Sequence, residues 1–181
     1  MLATTLEELG LHGYGGLRIE EIARRAGVNK TTIYRRWPNR NALVEAALRS
    51  LSESTETPDT GTLRGDLLAD YQRTLEWLLS PLGKGLARMM QVEWANGSDV
   101  AEILNAMRNR SRARRLAILE RGLARGELPA GTDLHLVVQV LHGAVFPSAV
   151  DRYAADVSTR AELERRVDLV LAGARAVSAQ P

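Results

Sequence analysis

The chain has 181 residues, with 24 Lys and Arg against 22 Asp and Glu, and it contains no cysteine. This length allows one domain, or a small domain joined to a larger one, and the missing thiols exclude a disulfide framework and a cysteine nucleophile. The histidines His12, His135 and His142 lack the spacing of metal ligands. The apolar runs are shorter than the ~18 residues that a membrane span requires. The first residues lack the basic region of a secretory signal. We therefore expect a cytoplasmic protein that holds no metal and crosses no membrane.

Apolar residues recur at helical spacing along the chain, and the alternation typical of strands is almost absent. The first 51 residues are predicted to form four helices, at about residues 2–11, 19–26, 30–37 and 40–51. Gly27 is expected to end the second helix, because it can adopt a turn conformation that a Cβ would penalise. Asn29 and Asn39 are expected to cap the third and fourth helices, and Pro38 to end the third.

Residues 52–62 contain no aliphatic side chain and several turn formers, which predicts a connection between two bodies. Five more helices are predicted beyond it, at about residues 63–79, 81–96, 98–126, 134–153 and 159–177. The pattern therefore predicts an all-α protein of about nine helices. We expect an N-terminal domain at residues 1–51 and a C-terminal domain at residues 63–181.

A basic block lies within this balanced chain. Residues 17–40 carry seven bases and two acids, a net charge of +5, which favours a surface that binds a polyanion. Two short helices with a tight turn at residues 26–28 have the shape of a helix-turn-helix. The small side chain of Ala23 permits close approach of the two helices, and Val28 and Ile33 are expected to fill the space between them.

The outward residues of the third helix are of the types that contact phosphates and base edges in a major groove: Lys30, Thr31, Thr32, Tyr34, Arg35 and Arg36. The ring of Tyr34 is expected to pack against the protein while its hydroxyl reaches a phosphate. Trp37 is expected to be a core residue. The alternative to DNA binding is that these basic residues only form a solvent-exposed helix face.

This stretch resembles the DNA-binding region of TetR-type transcriptional regulators. The resemblance rests on the ordered pattern Ile22-Ala23-x-x-Ala26-Gly27-Val28-x-Lys30-x-Thr32-Ile33-Tyr34-x-x-Trp37-Pro38-x-Arg40-x-Ala42-Leu43, in which Trp37 and Arg40 stand where the family usually has Phe and Lys. It implies that the third helix enters the major groove of DNA. The residues implied to reach bases are Lys30, Thr31 and Arg35. The residues implied to contact phosphates are Thr32, Tyr34, Arg36, Arg40 and Arg18.

The resemblance also implies a cavity for a small-molecule effector in the C-terminal domain. Large, soft or amphipathic side chains on the fifth to eighth helices are candidates to line it: Tyr71, Trp77, Met89, Met90, Trp94, Met107, His142 and Phe146. The alternative for each is an ordinary core residue. A second basic cluster at residues 108–125 is interpreted as solvated and ion-paired, the alternative being an arginine that binds an acidic effector.

The last two helices carry broad apolar faces, which predict a homodimer with a four-helix interface. The face of the eighth helix includes Leu134, Val137, Val138, Leu141 and Val145, and that of the ninth includes Leu163, Val167, Val170, Leu171, Ala174 and Val177. The alternative is that both faces are buried within the monomer.

Together these features predict a ligand-responsive transcriptional regulator, most simply a repressor that a small molecule releases from a pseudo-palindromic DNA operator. We find no carboxylate pair, catalytic triad or phosphate loop with functional spacing, so we expect neither an enzyme nor a bound cofactor. The alternative is a helical ligand-binding or interaction protein with weakened DNA binding. It is kept open because the chain starts within the family's first helix, without the basic arm that usually precedes it.

Overall fold

The computed structural model describes residues 1–53, 56–97, 100–150 and 159–177, with backbone alone at residues 52–53 and 146–150. Within these ranges all regular elements are α-helices and they number nine, which confirms the predicted all-α class. They are α1 (Leu2–His12), α2 (Ile19–Arg25), α3 (Lys30–Arg36), α4 (Arg40–Glu53), α5 (Leu63–Leu79), α6 (Pro81–Asn96), α7 (Val100–Ala124), α8 (Leu134–Val150) and α9 (Arg160–Val177). None of the helices in the described ranges is both long and apolar enough to span a membrane.

The helix ends follow the capping residues predicted from the sequence. At the start of α3, Asn29 Oδ1 accepts a hydrogen bond from the backbone N–H of Thr31 at 3.1 Å, and at the start of α4, Asn39 Oδ1 accepts one from Ala42 at 2.9 Å. Gly27, after α2, has a φ of 66°, as its predicted role in the turn requires. The predicted start of α7 at residue 98 and the predicted end of α8 at residue 153 lie outside the described residues.

The chain groups into two compact units by its internal contacts. Unit 1 consists of Met1–Thr55 and Ser80–Arg110, and unit 2 of Glu56–Leu79 and Ser111–Pro181. Unit 1 therefore contains α1 to α4, α6 and the first part of α7, whereas unit 2 contains α5, the rest of α7, α8 and α9. The predicted domains, at residues 1–51 and 63–181, follow the order of the chain and stay a prediction.

In unit 1, α1 crosses α6 at a pair of glycines. A Cβ on Gly85 would lie 2.3 Å from the carbonyl oxygen of Gly10, so the two backbones approach closely because residue 85 has no side chain. Helix α1 also packs against α4 and α2. The unit buries an apolar core drawn from these helices and α3: Leu6, Leu9, Ile22, Ile33, Leu43, Leu48 and Leu86.

Unit 2 contains two fully buried carboxylates, Asp66 and Asp70 of α5. Four arginines bind them, three of α7 and one directly after it: Arg114 and Arg115 contact Asp70, and Arg121 and Arg125 contact Asp66. The joined atoms lie between 2.7 and 3.2 Å apart. A buried charge is costly unless it is paired, so these arginines stabilise the unit. Ion pairing, the interpretation given to the second basic cluster, is confirmed for these four.

The apolar faces predicted for dimerisation are largely buried within unit 2. Its core includes Val137, Val138, Leu141, Val145, Leu163, Val167 and Leu171. For these residues the prediction of an intermolecular face is wrong, because α8 and α9 pack against each other and against α5. Val177 of the predicted face remains exposed, and so do Leu136, Val140 and Leu169, which the prediction did not include.

Candidate nucleic-acid interface

Helix α3 is anchored to the protein by a single apolar side chain. Among its seven residues, all of them described, only Ile33 is buried. Ile22 and Ala23 of α2 are buried as well, as predicted for the contact between the two helices, although Val28 is only half-buried. The remaining side chains of α3 are therefore free of the apolar core, and Trp37, directly after the helix, is buried as expected.

The turn between α2 and α3 is closed by backbone hydrogen bonds. The N–H of Gly27 donates to the carbonyl of Arg24 at 3.3 Å, and the N–H of Val28 donates to that of Ala23 at 3.0 Å. With Gly27 in the left-handed conformation, this arrangement satisfies carbonyls at the end of α2. The turn therefore sets the direction of α3 through local backbone geometry.

The residues predicted to bind DNA lie at the surface. The exposed ones are Arg18, Lys30, Thr31, Tyr34, Arg35 and Arg36, and the half-buried ones are Thr32 and Arg40. Tyr34 is 47% exposed, which is more than expected for a packed ring, because the apolar contact of α3 is made by Ile33 alone. Five of the exposed residues lie on α3 and carry hydroxyls or cations, whereas the exposed Arg18 and the half-buried Arg40 lie on the flanking segments.

Lys30 forms an ion pair with the preceding helix. Its Nζ donates to Glu20 Oε1 at 2.7 Å, and both side chains are about half exposed or more. The hydrogen bond from Lys30 lowers the pKa of Glu20 below its ordinary value. A polyanion that binds Lys30 must therefore compete with this carboxylate.

Two further bases of the same block bind acidic side chains of unit 1. Arg24 Nε donates to Glu21 Oε2 at 2.9 Å within α2. Arg25 donates to Glu7 at 2.6 Å and also to the buried Glu8, both on α1. Arg25 therefore holds α2 against α1, and neither arginine belongs to the predicted DNA-binding set.

Sequence reasoning missed Tyr14, which lies in the loop between α1 and α2. The guanidinium carbon of Arg40 lies 4.2 Å from the centroid of its ring, and its hydroxyl donates to Asn41 Oδ1. The available signal was the segment Gly13-Tyr14-Gly15-Gly16, where one aromatic residue stands among glycines. That pattern indicates a tight loop but does not indicate which side chain the ring contacts.

Residues 1–47 match the family described as bacterial regulatory proteins, tetR family, and residues 57–170 match the tetracyclin repressor-like, C-terminal domain. The chain is also 32% identical over 165 residues to the HTH-type transcriptional regulator AqdR of Rhodococcus erythropolis. The aligned residues are 89% of this chain and 77% of that protein. The chain belongs to the TetR family of transcriptional regulators. It is therefore a DNA-binding protein whose helix-turn-helix is formed by α2 and α3.

Other proteins are similar over different shares of the chain. The DNA-binding transcriptional repressor TetR of Mycobacteroides abscessus is 44% identical over 71 residues, which are 38% of this chain and 37% of that protein. GusR of Salmonella enterica has a similar fold, with a TM-score of 0.79 and 18% identity over 97% of this chain and 93% of that one. These similarities support the TetR-family fold along nearly the whole length.

The predicted effector-binding residues of this TetR-family chain are divided between the units. Unit 1 contains Met89, which is buried, the half-buried Met90 and Met107, and Trp94, which is exposed and stacked 4.9 Å from Arg108. Unit 2 contains the buried Tyr71 and the half-buried Trp77 and His142, whereas the side chain of Phe146 lies outside the described part. Burial raises the pKa of the Tyr71 hydroxyl to about 12, as for a core tyrosine. Their role as an effector site stays a prediction.

Proposed function

We propose that this TetR-family regulator is a repressor whose α3 lies in the major groove of an operator and which a small molecule releases from DNA. The observation that carries the proposal is the division within α3, where Ile33 alone is buried and cations and hydroxyls are exposed. Such side chains supply the donors that phosphates and base edges accept. Repression is supported by the relative from Mycobacteroides abscessus, which is named as a repressor.

Within α3 we assign base contacts to Lys30, Thr31 and Arg35. Phosphate contacts are assigned to Thr32, Tyr34, Arg36, Arg40 and Arg18. Arg40 begins α4, where the helix dipole adds partial positive charge that favours a phosphate. Phosphate contacts fix register and dominate affinity, and base contacts supply sequence preference.

The active form is proposed to be a homodimer joined through the exposed sides of α8 and α9. Leu136 and Val140 are 51% and 46% exposed on α8, and Leu169 and Val177 are 74% and 68% exposed on α9. A Cβ on Gly173 would meet nothing within 4 Å, so a second copy has room to approach closely there. Two-fold symmetry would place the two α3 helices on half-sites roughly 34–36 Å apart, one helical turn of DNA.

A small-molecule effector is proposed to release the operator by binding one dimer state more tightly than another. The state it favours would present the two α3 helices at a separation that no longer fits the half-sites. The change in the populations of the two dimer states is limited by the difference in their affinity for the effector, because an effector that binds both states equally leaves the populations unchanged. Within unit 2, the residues proposed to contribute to the site are Tyr71, Trp77 and His142.

The test is a footprint on the DNA upstream of the chain's own coding region, with wild-type protein and with Lys30→Ala. Two protected half-sites one turn apart, lost in Lys30→Ala while the dimer persists, would support the proposal. Protection that survives in the variant would contradict the assignment of α3. No protection by the wild-type protein, on this DNA or on random-sequence pools, would instead favour a ligand-binding protein with weakened DNA binding.

A further inference from the structure

The loop between α1 and α2 is built to present one side chain. Gly13 has a φ of 67°, in the left-handed region that favours glycine. A Cβ on Gly16 would lie 2.5 Å from the carbonyl oxygen of His12, so this position also excludes a side chain. The loop is closed by a hydrogen bond from the N–H of Leu17 to the carbonyl of Tyr14 at 3.3 Å. Tyr14 is thus the sole side chain larger than hydrogen in residues 13–16.

Tyr14 contacts two consecutive residues at the start of α4. Its ring lies under the guanidinium of Arg40, 4.2 Å from centroid to Cζ, and its hydroxyl donates to the side-chain oxygen of Asn41. The hydroxyl bond fixes the ring, and the ring covers one face of the guanidinium, which leaves Arg40 half-buried. The two contacts therefore act on the same feature, the position of Arg40.

Stacking suits an arginine that must still bind an anion. The N–H donors of a guanidinium lie in its plane, so a ring against its face leaves the donors at its edges available for phosphate oxygens. A carboxylate partner would instead occupy those donors, as Glu20 does for Lys30. The chain carries no Asp or Glu between residues 22 and 44. Arg40 is thus held by an aromatic face in a stretch of sequence that lacks acids.

We propose that Tyr14 is a positioning residue for DNA binding, holding the Arg40 guanidinium ready for an operator phosphate. The inference rests on the proposed function, in which Arg40 contacts the DNA backbone. A long side chain loses rotamer freedom when it is fixed in a complex, and ordering it beforehand reduces that loss. Tyr14 therefore strengthens DNA binding without contacting a base, and its contribution passes through Arg40.

The test is a double-mutant cycle between Tyr14→Leu and Arg40→Gln, with Tyr14→Phe as the conservative variant. The probe is a duplex that the wild-type protein selects from random-sequence DNA, and affinity is measured by fluorescence anisotropy over a range of salt concentrations. Tyr14→Leu should weaken binding about fivefold and make the salt slope shallower, by up to about 0.9. Tyr14→Phe keeps the aromatic face and should stay within about twofold of wild type. In the Arg40→Gln background, Tyr14→Leu should cause no further loss.

Two controls separate positioning from a general loss of structure. Urea unfolding is measured for every variant, and Tyr14→Met replaces Tyr14→Leu if the leucine variant does not fold. Arg108→Gln removes the cation from another stacked pair of unit 1, with Trp94, and should leave DNA affinity unchanged. Additive losses in the cycle, or wild-type affinity for Tyr14→Leu, would overturn the inference. If the wild-type protein selects no duplex, or if both Lys30→Ala and Arg40→Gln bind like wild type, the proposed function fails instead.

Discussion

The ammonium of Lys30 lies 2.7 Å from a carboxylate oxygen of Glu20 on the preceding helix. A residue assigned to a base contact therefore has an anionic partner inside the protein, at the edge of the surface proposed to meet DNA. Glu20 also adds negative charge beside that surface. Both effects oppose the binding of a polyanion, because Lys30 must leave its partner and Glu20 repels phosphates.

Replacing Glu20 by Gln should raise the affinity for non-specific duplex DNA about threefold at low salt, as expected for an exposed ion pair. The gain should shrink as salt rises, because exposed charges are screened over about 10 Å at 0.1 M. Anisotropy titrations across salt concentrations measure both quantities. Glu45→Gln is the matched control, since it makes the same charge change in another pair of unit 1, with Arg49. Equal gains in the two variants would show a general charge effect and refute a specific role for the pair.

Gly85→Ala should destabilise the protein by about 2 kcal/mol or more. Alanine normally stabilises a helix interior relative to glycine, but here its Cβ would lie 2.3 Å from the backbone oxygen of Gly10. The backbones of α1 and α6 would have to separate, and urea unfolding curves measure the cost. Gly15→Ala, with nothing within 4 Å of its Cβ, should change stability by less than about 0.5 kcal/mol. A stabilised Gly85→Ala protein would show that the two helices do not cross at these glycines.

The substitution Asp66→Asn should change how the stability of the folded protein depends on pH. Burial alone would raise the pKa of Asp66, but hydrogen bonds from Thr60 and Arg125 outweigh it and hold the pKa below its ordinary value of 3.8. The carboxylate therefore contributes stability that is present above about pH 4 and is lost as the pH falls through the folded-state pKa.

The Asp66→Asn protein should be about 2 kcal/mol less stable at neutral pH, because its arginine partners lose their carboxylate. Its Tm should also fall less steeply than that of wild type below about pH 4. Thermal unfolding across the acid range measures both effects. Parallel Tm profiles for the two proteins would mean that Asp66 does not hold a lowered pKa in the folded state.

Leu169→Glu should weaken the proposed dimer by at least about tenfold, because it places a charge in the centre of an apolar interface. The monomer should keep its helicity, since Leu169 is 74% exposed. Sedimentation velocity over a range of protein concentrations measures the change. Leu11→Glu is the matched control, the same substitution at a 70% exposed residue of unit 1. A Leu169→Glu protein that sediments like wild type would rule out this side of α9 as the interface.

Local features of the chain were predictable from the sequence because each depends on near neighbours. Asn29 and Asn39 cap the helices that follow them, and Gly27 adopts the turn conformation that its position requires. The sequence of α3 also predicted that Ile33 is buried and that Lys30, Arg35 and Arg36 are exposed, whereas the ring of Tyr34 is more exposed than predicted. Class, helix order and the exposed polar residues of α3 follow from such short-range rules, whereas Arg18 and Arg40 were assigned from the resemblance to the TetR family.

Contacts between distant residues were not predictable in the same way. The stacking of Arg40 on Tyr14 joins residues in different segments, and no local pattern indicates it. The residues of the dimer interface were predicted wrongly for a related reason. Helical spacing identifies the apolar residues of a helix but does not show which of them are buried within the monomer. Val137 and Leu141 are buried in unit 2, whereas Leu136 and Val140, on the same helix, are exposed.

The central claim is that α3 recognises DNA through its exposed face, and comparing Arg35→Ala with Arg36→Ala tests it most directly. Affinity is measured for the selected operator duplex and for a series of single-base variants of it. Arg35→Ala should lose discrimination at one or two positions, as expected when a base contact is removed, and Arg36→Ala should weaken binding to all duplexes alike. Unchanged operator affinity and unchanged discrimination in both variants, with the dimer intact, would contradict the claim.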